Sequence, residues 1–306
     1  MSFNEDVSIW IDLEIDGLDL TINFILEIAC IVADFDLTNI HQDIIYSYFL
    51  LIKYFLGPDL VINHSKSLLD AMGSWCTEHH TKSDFVQQVL DSKLSMSNAE
   101  TEIINFIQQV TSFSTNKKRL ILAENFVYVD RYFLEKDMPR LNSLLDRSIL
   151  DCSTLKELIH RFNYKFYTNA PIKTGNHNRA LDDIRNSIKE LKYYQKSAFE
   201  NLNIIDEIVD GKINDDLMKF VRRNQIYRER RLVVAGKSLG SIRSELKNLA
   251  PQFSEFCHYR SIDIDAISVS CEKWFLNIYK QRPFKNDNDL KNSIELLRFY
   301  HSTIFK

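Results

Sequence analysis

Two carboxylates, two positions apart, interrupt an apolar and strand-like run near the beginning of the chain, within residues 8–19. Side chains at positions i and i+2 of a strand point to the same face, so Asp12 and Glu14 would stand side by side. Two ionised carboxylates on an apolar face repel each other and lose hydration, and a divalent cation with oxygen ligands would relieve both costs. A solvent-facing edge strand with an acidic outer face explains the same pattern, and this stretch alone favours neither.

The overall composition indicates a globular protein. The chain has 306 residues, of which 45% are hydrophobic and 12% aromatic, enough to build the core of one large or two ordinary domains. Its formal net charge of -4 gives no general attraction to nucleic acid. Any binding of nucleic acid must therefore come from a local site or from metal ions that bridge the phosphates.

Cysteine usage and the apolar runs indicate the compartment. The five cysteines are odd in number, scattered and without CxxC spacing, which predicts reduced thiols and no zinc site. The longest apolar run, residues 44–56, is too short to span a membrane. Since the chain enters its first strand within a few residues of Met1, we also expect no targeting leader. These features predict a cytoplasmic protein, with the nucleus as the alternative.

The elements that must position the acids follow from hydrophobic periodicity. A second strand is predicted over residues 24–34, which with the first would form a meander, and a further strand over residues 119–123. Helical spacing is found at residues 67–80, with Ser67 as a plausible cap, and at residues 98–110, 153–162 and 182–194, with a further helix that begins near Asp130. The first 200 residues are thus α/β, with helices on a mixed sheet.

Two further acids, Asp130 and Asp183, lie near predicted helix starts. There a carboxylate is also common as a cap or as a partner of the helix dipole, so either acid alone favours that role. Together with Asp12 and Glu14, however, they form a set of four acids on separate elements, with His177 shortly before the last of them.

With these residues the sequence closely resembles oligoribonucleases of the DEDDh 3′-to-5′ exonuclease superfamily. The resemblance covers almost all of residues 7–197. It is carried by WIDLEIDGLD at 10–19, LEIACIVAD at 26–34, WCTEHHTKS at 75–83, LAENFVYVDRYFL at 122–134, DCSTLKEL at 151–158 and RALDDIRNSIKELKYY at 179–194. It implies a ribonuclease H-like α/β exonuclease domain, in which a mixed sheet is flanked by helices.

The resemblance also implies roles for particular residues. Asp12, Glu14, Asp130 and Asp183 look like the four carboxylates that hold two Mg²⁺ or Mn²⁺ ions, as hydrolysis of a phosphodiester by two metal ions requires. Leu18, Trp75 and His80 resemble the residues that hold the bases of a very short RNA substrate by stacking and wedging. From the residues alone, a Trp on an apolar helical stripe would more often belong to the core.

The sequence departs from the family at the general base. The family has a His five residues before the last Asp, whereas here that position is Asn178 and His177 lies one residue earlier. Asn cannot accept the proton, and we expect His177 to take the catalytic role because a loop tolerates a one-residue shift. Asp16 and Glu124 also replace a usual Thr and Gly, and add negative charge near the expected phosphate path.

The second half of the chain repeats part of the first. Residues 231–236 match 119–124, Pro251 matches Pro139 and Asp263 matches Asp151, all at an offset of 112, and residues 289–297 match 183–191 after a shorter loop. The copy cannot catalyse, because it lacks the first two acids and has Ile242 and Phe284 at the positions of Asp130 and the His. We therefore expect an exonuclease domain at 1–200 and a truncated, degenerate repeat of the same fold at 201–306.

The two copies have lost complementary features. Ser238, Tyr259 and Arg260 match family residues near the homodimer interface that help to hold the substrate, whereas the first copy has Phe126 and residues 146–148 at the aligned positions. This pattern predicts a monomer folded as an internal pseudo-dimer, with Ser238 and Arg260 as phosphate ligands and Tyr259 as a stacking surface. The alternatives are an unrelated helical tail and ordinary surface or core roles for these residues.

The sequence therefore predicts a metal-dependent 3′-to-5′ exoribonuclease that degrades very short RNAs to nucleoside 5′-monophosphates. The alternative from a different class is a catalytically impaired protein that binds short RNA or another protein. Asn178 and the added acidic residues favour that alternative, and the retained set of four acids favours the enzyme.

Overall fold

The structure is a computed structural model, and it describes residues 6–35, 37, 54–81, 84–111, 119–162, 164–171, 179–197, 232–236, 243, 247, 257–274, 276–282, 296–297 and 299–300. The chain forms two compact units. The first combines Met1–Leu150 with Pro171–Lys192, and the second combines Asp151–Ala170 with Tyr193–Lys306. These units are groups of residues that contact one another. The predicted division at residue 200 separates two sequence copies instead, and it stays a prediction.

The first unit is organised around a five-stranded mixed sheet. Its strands are β1 (Val7–Ile15), β2 (Ile25–Ala33), β3 (Tyr54–Val61), β4 (Leu120–Glu124) and β5 (Ile149–Asp151), in the order β3-β2-β1-β4-β5. β1 and β2 are antiparallel, as are β2 and β3, whereas β1 and β4 are parallel. The predicted meander is thereby confirmed, and so is the α/β class with a mixed sheet.

The alternation of β1 separates a core face from an acidic face. Ile9, Ile11 and Leu13 belong to the main hydrophobic core, so the intervening side chains at positions 10, 12 and 14 point to the opposite face. There Trp10 is fully buried, and its Nε1–H donates to Ser8 Oγ at 2.9 Å. The acidic pair therefore stands on one partly buried face of a central strand, and the alternative of a solvent-facing edge strand is wrong.

Helices flank this sheet. Those of the first unit are α1 (Lys66–Asp70), α2 (Ser74–Thr81), α3 (Phe85–Asp91), α4 (Met96–Thr111), α5 (Val127–Asp137), α6 (Pro139–Leu144) and α9 (Ala180–Ser197), whose residues 193–197 belong to the second unit. α4 buries Ala99, Ile103, Ile107 and Val110 in the main core. The helices predicted at 98–110 and 182–194 are thus present and slightly longer, and α5 begins three residues before Asp130.

The helix predicted over residues 67–80 is two helices, and the prediction of Ser67 as its cap is wrong. Ser65 is the N-cap of α1, and its Oγ accepts the Leu68 backbone N–H at 3.3 Å. α1 ends at Asp70, and α2 begins after Gly73. Gly loses the most conformational freedom on folding, so it lowers stability inside a helix and is more common at helix ends. Hydrophobic spacing continues across this break, which is why periodicity alone did not indicate it.

The second unit contains the remaining described elements. They are α7 (Cys152–Phe162), α8 (Tyr164–Thr168), β6 (Leu232–Gly236), β7 (Cys257–Asp263), α10 (Ile264–Trp274) and α11 (Leu276–Lys280). β6 and β7 form a parallel two-stranded sheet. α7 packs against β7 and α10, and Thr154 Oγ1 on α7 accepts the backbone N–H of Asp263 at 3.0 Å.

Within the described residues, none of the helices has both the length and the apolar character needed to cross a membrane. Residues 44–53 lie outside the described residues, and the end of the long apolar run forms the first part of β3.

Candidate active site and metal centre

Three of the four predicted carboxylates meet at one point of the first unit. Asp12 and Glu14 come from the acidic face of β1, and Asp183 comes from the first turn of α9. One ligand oxygen from each lies within 4.8 Å of those of the other two. Asp183 is thereby brought to Asp12 and Glu14 from 171 and 169 positions away in sequence, as the interpretation of a shared cation requires.

Asp130 is buried beside this group. It lies in the first turn of α5, whose N-cap Phe126 has a left-handed backbone with φ 55°. Its charge acts on Asp12, and hydrogen bonds to its own backbone and that of Leu13 bring it close to β1. Asp130 is not one of the three residues whose ligand oxygens lie within 4.8 Å of one another. It approaches this group from the side of α5.

The electrostatics of the centre are those of crowded acids. Burial, and then the charges of Glu124 and other acids of the centre, raises the pKa of Asp12 well above its ordinary value. Burial and then Glu27 and Asp183 raise the pKa of Glu14 to about 8, against the opposing effect of Arg179. The pKa of Asp130 is also raised well above its ordinary value, first by burial and then by Glu124.

This donor set fits hard divalent cations. Each member offers carboxylate oxygens, the ligands that Mg²⁺ and Mn²⁺ prefer. Burial and then repulsion between the acids disfavour the ionised carboxylates and so raise the pKa values of Asp12 and Glu14, and a bound cation would offset both effects. The acidic centre is therefore compatible with divalent metal ions, and its chemistry does not select between Mg²⁺ and Mn²⁺.

A buried ion pair fixes the start of the helix that carries Asp183. Glu27, which is fully buried on β2, accepts Arg179 Nε–H at 2.8 Å, and its other oxygen accepts the backbone N–H of Ala180 at 3.1 Å. Glu27 is also the cross-strand partner of Glu14. The sequence prediction missed this residue, although a single acid inside the apolar run 25–33 was a signal for it.

The predicted base-binding residues differ in exposure. Leu18 and Trp75 are large apolar side chains that are 72% and 66% exposed, and the Trp75 ring stacks on His79 with centroids 3.9 Å apart. His80 is buried, and its Nε2–H donates to the Ile15 carbonyl at 3.1 Å. Trp75 is therefore not a core residue, whereas His80 holds the backbone that follows Glu14.

Several predicted site residues cannot be placed. His177, Asn178 and Ser238 lie outside the described residues. Tyr259 and Arg260 belong to β7, and of these two residues the backbone alone is described. Their roles stay predictions.

Asp16 and Glu124, the acids expected near the phosphate path, are both buried. Asp16 closes the turn after β1, because its Oδ1 accepts the Phe24 backbone N–H at 2.6 Å. A side chain at Gly17 inside this turn would meet Asn23, since an added Cβ would lie 2.5 Å from its Oδ1. Asp16 is thus used by the fold, and Glu124 is the acid that remains beside the carboxylate centre.

Comparisons with known proteins agree with this geometry. The chain matches the exonuclease family RNase_T over residues 9–191. It is 41% identical over 192 residues to an oligoribonuclease of Arabidopsis thaliana, which covers 63% of this chain and 78% of the relative. It is 38% identical over 192 residues to the mitochondrial oligoribonuclease of Homo sapiens, with 63% and 73% covered. It is 36% identical over 200 residues to an oligoribonuclease of Vibrio parahaemolyticus, with 65% and 99% covered.

The region matched by the family contains all four predicted acids. Among solved structures, a nuclease domain described as a DEDDh family member bound to rAMP aligns with a TM-score of 0.43 at 12% identity. The alignment covers 68% of this chain and 100% of that domain. That structural likeness is too low to add to the assignment, which is based on the sequence relatives. On the family match and these relatives, the chain belongs to the oligoribonuclease family of exonucleases.

Proposed function

We propose that the protein is a metal-dependent 3′-to-5′ exoribonuclease that degrades short RNAs to nucleoside 5′-monophosphates. The observation that carries this function is the convergence of Asp12, Glu14 and Asp183 within 4.8 Å, with Asp130 buried beside them. The family of the chain supports the same activity. The alternative of a binding protein without catalysis is not favoured, because the complete set of acids is retained.

In this mechanism Asp12, Glu14, Asp130 and Asp183 would hold two Mg²⁺ or Mn²⁺ ions, and the bound ions would supply activation of the attacking water and stabilisation of the leaving oxygen. In the hydrolysis a bond forms between the water oxygen and phosphorus, and the bond from phosphorus to the 3′ oxygen breaks. The shortened chain leaves with a 3′ hydroxyl, and the released nucleotide carries a 5′ phosphate. The Glu27 ion pair holds α9, so that Asp183 stays opposite Asp12 and Glu14.

His177 is proposed as the general base that takes the proton of the water. His177 lies two positions before Arg179 in sequence, and Arg179 pairs with Glu27 at the start of the helix that carries Asp183. Asn178 has no proton-accepting nitrogen at neutral pH. The supporting reason for His177 is its position next to Asn178.

Leu18 and Trp75 are proposed to contact the bases of the RNA. Both are exposed apolar side chains in the first unit, and an exposed aromatic face can stack on any base for about 1–3 kcal/mol. The predicted contact of His80 with substrate stays a proposal, since the structure gives it a role in holding Ile15.

The degenerate copy is supported by the bounds of the elements. Adding 112 to the first and last residue numbers of β4, α7 and α8 gives the first and last residues of β6, α10 and α11. This is the same offset that relates residues 119 and 231 in sequence. β5 likewise ends at Asp151 and β7 at Asp263. Independent sequences would not be expected to share these bounds at one constant shift.

The equivalent helices also share a cap and a burial pattern. Asp151 Oδ1 accepts the backbone N–H of Ser153 at 2.9 Å, and Asp263 Oδ1 accepts that of Asp265 at 2.8 Å. Residues 152–160 of α7 and 264–272 of α10 have the same pattern of buried and partly buried side chains. The one difference is that residue 153 is buried whereas its equivalent, residue 265, is partly buried. This supports two copies of one fold in the chain.

On this basis we include an internal pseudo-dimer in the proposal, with a monomeric protein in solution. Ser238, Tyr259 and Arg260 would then serve the 5′ end and base of the substrate from the second copy. We keep the cytoplasm as the proposed location, with the nucleus as the alternative, although some relatives are named mitochondrial.

The test is hydrolysis of a 5′-phosphorylated RNA dinucleotide by the purified chain in Mg²⁺ or Mn²⁺. Chromatography should show two nucleoside 5′-monophosphates for each dinucleotide consumed, and none when a chelator is in excess. Tight binding of the dinucleotide without any hydrolysis would establish the binding protein and exclude the enzyme.

A further inference from the structure

Glu124 is a buried carboxylate that the four predicted metal ligands do not include. It ends β4 and is 1% exposed. In the parallel pairing of β1 and β4, Trp10 lies opposite Ala123. Glu124 follows Ala123 directly, and Asp12 lies two residues after Trp10, so the end of β4 that carries Glu124 lies beside the part of β1 that carries Asp12.

The position of Glu124 is fixed by hydrogen bonds to one of its oxygens. Glu124 Oε1 accepts the backbone N–H of Asn125 at 2.9 Å and the hydroxyl of Ser187. Ser187 Oγ in turn accepts Asn125 Nδ2–H at 2.5 Å. Because the carboxylate is the acceptor in each of these contacts, they suit its ionised form.

Ser187 connects Glu124 to the helix of a metal-ligand candidate. Ser187 and Asp183 are four residues apart on α9, and side chains at this spacing lie on the same face of a helix. Ser187 is itself buried. The bond from Ser187 to Glu124 therefore joins β4 to the face of α9 that carries Asp183, one turn from it.

We infer that Glu124 is a positioning residue of the metal centre, whose negative charge tightens the binding of divalent cations and whose Oε1 holds α9 through Ser187. This rests on the proposed metal-dependent function and adds a fifth acid to it. Of the neighbouring charges, Glu124 has the largest effect on the pKa of both Asp12 and Asp130. A charge that repels these acids in the metal-free protein attracts a cation that they bind.

Two effects of opposite sign follow when this charge is removed. Glu124→Gln keeps an oxygen that accepts the same two hydrogen bonds and removes the charge, so the metal-free protein should unfold at a higher temperature. Its Mn²⁺ affinity should fall about 10-fold or more, the size of effect that partners of metal ligands typically have. A residue that only supports the fold would not raise the metal-free stability and lower the metal affinity together.

The experiment measures Mn²⁺ binding by calorimetry and metal-free thermal unfolding at pH 8 for the full chain and three variants. Glu102→Gln is the matched control, because Glu102 is exposed on α4, which packs on the other face of the sheet. It should leave both quantities unchanged. Ser187→Ala should weaken Mn²⁺ binding although it keeps every carboxylate, and this variant still tests the role if Glu124→Gln does not fold.

Unchanged Mn²⁺ affinity in Glu124→Gln, or in Ser187→Ala if the first variant does not fold, would overturn this inference. If wild-type protein then still binds Mn²⁺ and hydrolyses the dinucleotide, the proposed function stands and only the role of Glu124 fails. Wild-type protein that binds no Mn²⁺ would overturn both.

Discussion

At the scale of single residues, the acidic pair of β1 supplies part of the candidate metal site and also lowers the stability of the metal-free fold. Alternation in a strand was enough to predict that Asp12 and Glu14 share a face, and the family resemblance added Asp183, which the structure brings within 4.8 Å of both. It could not be predicted from the sequence that Glu27 and Arg179 form an ion pair there, since that contact joins residues 152 positions apart. Propensity and spacing describe local structure, whereas such pairs depend on tertiary packing.

The metal-free protein should lose stability as the pH rises. The pKa of Glu14 is raised to about 8 in the folded state from an ordinary value of 4.5. The folded state therefore binds this proton more tightly than the unfolded state, and the resulting stability is fully present below about pH 4.5 and is lost as the pH rises through about 8. Chemical denaturation in a chelator across this range measures it, and Glu14→Gln should flatten the dependence. A metal-free stability that increases between pH 5 and 8 would contradict the electrostatic description of the centre.

The proposed base has its own test at the same scale. His177→Ala should lower the hydrolysis rate by at least about 10²-fold, because loss of a general base typically costs 10²- to 10⁴-fold. Asn178→His should leave the rate unchanged or raise it. Steady-state rates of dinucleotide hydrolysis at saturating metal measure both. An inactive wild type that becomes active only with Asn178→His would refute His177 as the base.

At the scale of elements, the start of α9 depends on the buried Glu27. Arg179→Ala would leave this fully buried carboxylate without its ion-pair partner, which typically costs about 3–5 kcal/mol of the free energy of unfolding. The matched control is Arg185→Ala on the same helix, where the pair with Asp182 is exposed and is worth about 0–1 kcal/mol. Urea denaturation of both variants measures the difference. Equal losses would mean that Glu27 does not depend on Arg179.

The elements also show where sequence patterns are reliable. The strands of the meander and helices such as α4 were predicted to within a few residues, because long periodic runs are a strong signal. The break between α1 and α2 was not predicted. Ser65 and Ser67 are both possible caps by residue type. Ser65 is the one that has the extended backbone of an N-cap (φ -71°, ψ 150°), whereas Ser67 lies inside α1.

At the scale of the whole molecule, the repeat predicts both the oligomeric state and a substrate effect. Sedimentation equilibrium should give the mass of one chain, 36.0 kDa, since in the proposed pseudo-dimer an internal copy would replace a partner subunit. The bounds shared by α7 and α10 agree with the constant offset of 112 in sequence, whereas the packing of α7 against β7 could not be predicted from it. A stable dimer of two chains would contradict the internal pseudo-dimer.

Arg260 tests whether the second copy assists the first. Arg260→Ala should weaken the binding of a 5′-phosphorylated dinucleotide by about 1.5–3 kcal/mol, the contribution of a hydrogen bond to a charged group. The same variant should bind a dinucleotide without the phosphate almost as the wild type does. Affinities can be measured with Ca²⁺ in place of Mg²⁺, because Ca²⁺ also binds oxygen ligands but differs from Mg²⁺ in its coordination geometry. Equal losses for both ligands would limit the second copy to a stabilising role.

The most direct measurement follows the shortening of a 5′-labelled five-nucleotide RNA in Mn²⁺, with wild-type protein and Asp12→Asn side by side. The account predicts a ladder of labelled products that shortens one nucleotide at a time from the 3′ end and finishes at the labelled mononucleotide. Asp12→Asn, which removes one of the three clustered carboxylates, should lower the rate by more than about 100-fold, beyond the effect typical of residues that only support a metal ligand. Release of the labelled mononucleotide in the first step, or full activity of Asp12→Asn, would contradict the account.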